Sequence, residues 1–313
     1  MTPTLHVGTT VWSWGGSGLA DTLCAQAQAA EAQGFDSFWL PENHLATGTA
    51  IPSPLMLLAA IAARTQTIGL GCTSYLLPIR HPLLAAEEVA VLDRLCGGRL
   101  TLGLGRGLSA AMFQAFGVPA GDKRKLFQAN LDIMRRAWRG EPVAGSDPDA
   151  PVRLAPLPLQ QPSPPLWVAA FGPLALQQVA GLGLPYLASP VESLDVLEEN
   201  YRRYHGAVAA AGHTPIATIP VMRTVFVTGD NALAARVRTA LAAGVPVSMR
   251  DRSGAVEDWA IVGDRHYARD KLAEYRERLQ LSHLIVRAGV PGVSESLQLE
   301  SQQSLLGAVA DMR

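Results

Sequence analysis

Short apolar runs alternate with longer stretches of helical periodicity along the whole chain. Residues 7–12 read as a strand and 19–33 as an Ala-rich helix, ended by Gly34 at the position where glycine suits the turn out of a helix. Residues 37–40 (SFWL) give a second strand and 54–64 a second helix; 68–76 give a third strand, followed by a helix over 82–95. Pro82 fits a first helical turn, where its missing N–H costs nothing. The fourth strand is 100–105 (LTLGLG), and 122–138 reads as a helix with Asp122 as candidate N-cap.

Residues 141–165 break this rhythm with eight prolines, Pro142, Pro148, Pro151, Pro156, Pro158, Pro162, Pro164 and Pro165. The alternation then resumes with a strand at 166–170, helix 173–182, strand 186–189, helix 193–211, strand 219–227 and helix 231–243. Residues 244–266 read as irregular, followed by a charged helix at 267–279, an eighth strand at 283–288 and a closing helix at 294–312. Eight short, nearly all-apolar strands with helices between them predict an α/β fold with a parallel sheet buried on both faces. The count favours a closed (β/α)8 TIM barrel, with an insertion between the fourth and fifth units, over an open doubly wound sheet. A single domain over 1–313 is the expectation.

Composition narrows the partners. The chain has 313 residues, 48% hydrophobic and 17% charged, with a formal net charge of −1 and no basic stripe, which argues against nucleic acid. Cys24, Cys72 and Cys96 are scattered without CxxC spacing, which favours reduced thiols and a cytoplasmic protein. The first residues lack the pattern of a signal peptide, and no apolar run of about 18 residues predicts a membrane span. A small-molecule substrate is the expected partner.

In such a fold the chemistry belongs at the C-terminal ends of the strands. Trp12-Ser13-Trp14-Gly15-Gly16 places two indoles where they would wall an apolar substrate pocket, although a loop packed by aromatics fits the same letters. Pro41-Glu42-Asn43-His44 places a titratable ring beside a carboxylate that would orient it, as an acid–base residue needs; an ordinary hydrogen-bonding histidine is the alternative. In Leu104-Gly105-Arg106-Gly107 an arginine stands between glycines, fitted to grip an anion or to form a structural ion pair. Arg124 is a second anion candidate, within a Lys123-Arg124-Lys125 run that a solvated helix end would also explain. Ala170-Phe171-Gly172 leads into a helix whose free amides suit a phosphate, or forms a plain strand-to-helix turn. No GxxxxGK[ST], GxGxxG after the first strand, HExxH or GxSxG motif is present, and none of these sites reads as a metal cage.

Taken in order, GFDSFWLPENH, LLPIRHP, AEEVAVLDRLCGGRLTLGLGRG, FQAFGV, PLWVAAFGPLALQQVAGLGLPYL, AIVGD and LSHLIVRAGVPG make the whole chain resemble the bacterial luciferase-like flavin monooxygenases. That resemblance implies a (β/α)8 barrel binding reduced FMN or a deazaflavin coenzyme, a homodimer, and a separate flavin reductase as possible partner. By position it makes His44 the active-site histidine and Arg106 and Arg124 the holders of the FMN phosphate. Thr73 and Ser74 fall where the family often carries a non-prolyl cis peptide behind the flavin. Gly105 replaces the cysteine of the light-emitting members, which argues against bioluminescence, and Phe171-Gly172 replaces an acid–hydroxyl pair. The short segment 244–266 stands where longer members carry a lid. The implied activity is oxygenation of an apolar organic substrate with reduced FMN and oxygen, His44 serving as acid–base group and Trp12, Trp14 and Glu42 lining the substrate side. Deazaflavin-dependent hydride transfer, or flavin binding without catalysis, are the two rival readings.

Overall fold

The computed structural model describes residues 4–13, 19–45, 50–143, 145, 147–245 and 249–312. Its strands are β1 (His6–Thr10), β2 (Ser37–Leu40), β3 (Gly69–Leu76), β4 (Leu100–Gly105), β5 (Leu166–Ala169), β6 (Tyr186–Leu187), β7 (Pro220–Val227), β8 (Ala260–Gly263) and β9 (His283–Arg287). Its helices are α1 (Leu19–Gln33), α2 (Pro54–Ala62), α3 (Pro82–Leu95), α4 (Ala110–Ala115), α5 (Lys123–Trp138), α6 (Pro173–Gly181), α7 (Leu194–Ala210), α8 (Asn231–Ala243), α9 (Arg250–Ser253), α10 (Arg265–Leu279) and α11 (Glu295–Ala310). The chain divides into two compact units, one of Gly18–Gln28 and Leu40–Ala169, the other of Met1–Ser17, Ala29–Trp39 and Ala170–Arg313.

In the unit centred on Leu40–Ala169, β3, β4 and β5 pair in parallel, with Leu70 opposite Leu100 and Leu102 opposite Leu166. The β3–β4 register shifts between Cys72 and Tyr75, and within that shift the Thr73–Ser74 peptide is cis, at the place the family resemblance marks. Pro82 opens α3 as the sequence suggests, and its Ala85, Ala86, Val89 and Ala90 are buried. Small residues there let α5 approach, and the fully buried Trp138 donates its indole N–H to the Ala86 carbonyl at 3.0 Å. Asp122 does stand at the head of α5, but its side chain makes no capping bond. A 3-10 turn over Ala120–Asp122 already feeds the helix, so that backbone is helical where an N-cap is extended. The proline-rich stretch is pinned by Gln160, whose backbone N–H and side-chain amide reach the two oxygens of buried Asp93 at 2.8 and 2.7 Å.

In the other unit the parallel order is β2–β1–β9–β7–β8, with Thr9 opposite Phe38, Gly8 opposite Ile285, Met222 opposite Ile285 and Val225 opposite Ile261. Ala188, just after β6, bridges to Val221 on β7. The described strands number nine, one more than the pattern predicts. The addition is β8, four residues inside the stretch read as irregular; its Ala260 and Val262 pack with Phe226, Trp259 and the Leu233, Val237 and Leu241 face of α8. So short a run, bounded by Trp259 and a charged helix, has no alternation to announce it.

Candidate active site

All of the groups around His44 described first belong to the unit centred on Leu40–Ala169. Glu42 leaves the end of β2 as a carboxylate with no exposed side-chain surface, and three donors converge on it. The Leu76 N–H bonds Oε2 at 3.1 Å, while Arg80 NH1 and His44 Nε2 bond Oε1 at 2.8 and 2.6 Å. A buried carboxylate needs such partners to stay charged. Glu42, expected in the substrate pocket, is thus covered by its partners and supports His44 from behind. The His44 side chain is 8% exposed, and the Phe116 ring meets it edge-on at a centroid distance of 5.0 Å.

Arg80 is fixed from several sides. Its NH1 also donates to the Leu76 carbonyl at 2.8 Å, and its guanidinium lies 3.9 Å over the Tyr75 ring. The Tyr75 hydroxyl donates to Glu88 at 2.9 Å, and the Asn130 amide bonds the Leu77 and Arg80 carbonyls at 2.9 and 3.1 Å. Burial drives the Tyr75 hydroxyl pKa well up, so it stays protonated. Arg80 belongs to the LLPIRHP segment, but nothing in the sequence reveals that it would meet Glu42, a residue from a different strand end.

Arg106 follows β4 and is nearly buried; it donates to the Ala169 carbonyl at 2.6 Å and lies over the Phe127 ring at 5.5 Å. Burial first, and then the like charge of Arg124, push its pKa down to about 10. Arg124 itself is exposed at the start of α5. A guanidinium held as that of Arg106 is, at a strand end, has the geometry to grip an anion. Nearby, Thr73 Oγ1 is buried without a hydrogen-bond partner among the described residues. A buried hydroxyl left in that state asks for a ligand or a water.

The remaining expected residues lie in the other unit. Ala170 is buried and its N–H donates to the Leu187 carbonyl at 3.4 Å, so that amide is committed to the fold and not open to a phosphate. Phe171 is exposed, and Gly172 enters α6 with φ of 82°, a backbone state that glycine accepts readily. Trp12 is only 6% exposed, meets Phe38 edge-on and donates to Glu295 at 3.3 Å. That setting makes it an interior residue of its unit. Trp14 lies outside the described residues. Arg287, at the C-terminal end of β9, also stands at a strand end; it is exposed to solvent while surrounding protein still lowers its pKa. In the sequence it is a single cation closing the apolar strand HLIVR.

The chain belongs to the luciferase-like monooxygenase family, whose model matches residues 6–280. The oxygenase component of the flavin-dependent trigonelline monooxygenase of Acinetobacter baylyi is 30% identical over 159 residues, 50% of this chain and 44% of that protein. The chain spans about half the length of the first curated relatives it matches. Among solved structures, the oxygenating constituent of 3,6-diketocamphane monooxygenase from Pseudomonas putida, in complex with FMN, aligns with a TM-score of 0.81 at 21% identity, over 98% of both chains. An F420-dependent secondary alcohol dehydrogenase aligns at 0.78 and 14% identity, over 98% of this chain and 99% of the other. These two likenesses show that the chain has the family's α/β fold. The absence of a membrane-crossing helix holds for the described residues.

Proposed function

We propose that this chain is the oxygenase component of a two-component flavin monooxygenase that acts on an apolar organic substrate. The observation that carries the reading is Arg106, nearly buried, held by its bond to the Ala169 carbonyl and placed at the C-terminal end of β4, where its guanidinium would grip an FMN phosphate. Thr73, with its orphaned hydroxyl, and Ser74 would face the flavin. Bound reduced FMN would supply the electrons that let molecular oxygen be inserted into the substrate. His44, held on Glu42, would move protons at the reacting group, and the apolar edge of Phe116 would keep water from it. A separate flavin reductase would deliver the reduced cofactor, and a cytoplasmic homodimer is the expected assembly.

Hydride transfer with a deazaflavin is the second reading, since the fold is shared with an F420-dependent dehydrogenase. The Arg106–Arg124 pair favours FMN. A thermal-shift titration with oxidised FMN, anaerobic reduced FMN and the deazaflavin coenzyme tests this, because a ligand of the native state raises its Tm by mass action. A rise with FMN that Arg106→Ala abolishes is expected. A rise with the deazaflavin alone would transfer the chain to hydride chemistry, and no response to any of them would remove the flavin reading.

A further inference from the structure

We infer that His44 performs its proton chemistry through Nδ1, and that Arg80, acting through Glu42, is the positioning residue that fixes this arrangement. The inference rests on the reading of His44 as the acid–base group. It starts from the acceptor. Glu42 already takes a guanidinium N–H from Arg80 and the Leu76 N–H, so it meets His44 as a carboxylate, which can only accept. The 2.6 Å contact therefore requires the proton of the neutral ring to sit on Nε2. Nδ1 is left as the lone-pair nitrogen. It has no hydrogen-bond partner among the described residues, although the side chain is more than nine-tenths buried. An unpartnered acceptor on a ring so firmly held is the atom available to a ligand's proton.

Arg80 decides how strongly Glu42 pulls. A lone buried carboxylate at 2.6 Å would draw a second proton onto the imidazole. Arg80 shares the charge of the same oxygen, Oε1, and brings a positive charge close to any imidazolium that forms. Both effects favour the neutral ring, the form able to accept a proton. Among the described residues, the other charged or titratable groups nearby are the Cys72 thiol of β3, which burial holds well up, and the Tyr75 hydroxyl with Glu88 behind it. Phe116, edge-on to the ring, carries no charge. In the proposed step the reacting X–H bond breaks with its electron pair left on the substrate, and the proton bonds to Nδ1. The Nε2–H stays on Glu42, and the new proton is later returned from Nδ1 to solvent.

The test uses the resting full-length protein with 15N-labelled histidine, its His44 signals assigned by their loss in His44→Gln. Long-range proton–nitrogen spectra are expected to show neutral His44 protonated on Nε2. In Arg80→Met the titration midpoint of His44 is expected to rise by about one pH unit, as removal of an adjacent charge implies. Arg80→Lys, which keeps the charge, should leave it near the wild-type value, and the basic form's limb in the kcat/KM profile should move with the midpoint. A proton on Nδ1 in the neutral ring, or an unmoved midpoint in Arg80→Met, overturns the inference. Should Arg80→Met not fold, the wild-type tautomer still decides. Full turnover by His44→Gln would overturn the acid–base role itself, and the resting-state spectra separate that failure from a wrong tautomer.

Discussion

An added Cβ at Gly105 would stand 2.1 Å from Ser74 Oγ, 3.0 Å from Ser74 Cβ and 3.1 Å from a Leu76 methyl. The glycine is therefore fixed by the side chain across the β3–β4 pairing, not by its own backbone conformation. In the light-emitting members that this chain resembles, a cysteine takes this position; here Ser74 fills the space such a side chain would need. Restoring even one methyl should push Ser74 out of place and cost about 1–3 kcal/mol, the range for overpacked interiors. Gly105→Ala is expected to unfold at lower urea concentration with an unchanged m-value, and adding Ser74→Gly should recover most of the loss. If Gly105→Ala alone is as stable as the wild type, the crowding argument is wrong. The same close view explains why the sequence exposed only part of the site. Glu42 and His44 are two residues apart, so their pairing was legible; Arg80 joins them through the fold, and its role was not.

At the scale of elements, legibility followed length and punctuation. The helices α1, α3 and α8 and the strands β3, β4 and β7 were readable because apolar runs, Gly34 and Pro82 bound them. The six-residue α4 and four-residue β8 were not, since neither completes enough of a period to stand out. The turn from β8 into α10 shows what sequence patterns underdetermine. Gly263 leaves room for Tyr267, whose ring would otherwise lie 2.7 Å from an added Cβ, while Asp264 accepts the Tyr267 N–H at 2.8 Å and caps the helix. Asp264→Ala removes that acceptor and should cost about 1 kcal/mol, with Asp264→Ser restoring most of it. The expected Tm loss is a few degrees at most for a chain of this size, about 1–3 °C. Equal melting of the alanine and serine variants would mean that the cap contributes nothing.

For the whole molecule the clearest consequence concerns acid. His6 and His283 open the paired strands β1 and β9, with rings stacked at 4.8 Å; Asp36 lies 3.8 Å from His6, and Ser282 meets His283 Nδ1 at 2.9 Å. Burial, and secondarily the charge of His6, hold the His283 pKa down to about 4, against the opposing pull of Asp36. An unfolded chain would titrate this ring near 6.5. Above that pH the ring is neutral in both states and the folded state loses nothing. As pH falls toward 4 the unfolded chain binds a proton that the folded chain refuses, so stability drops through that window, by at most about 1.4 kcal/mol per pH unit. His283→Phe keeps a ring against His6 and removes the titration. Carboxylates elsewhere titrate in both proteins, so the informative quantity is the difference between them. The wild type should lose more Tm between pH 7 and pH 4.5 than His283→Phe at matched ionic strength. Parallel losses would mean that His283 opens to water before the fold does, and that this end of β1 and β9 is not a source of acid sensitivity.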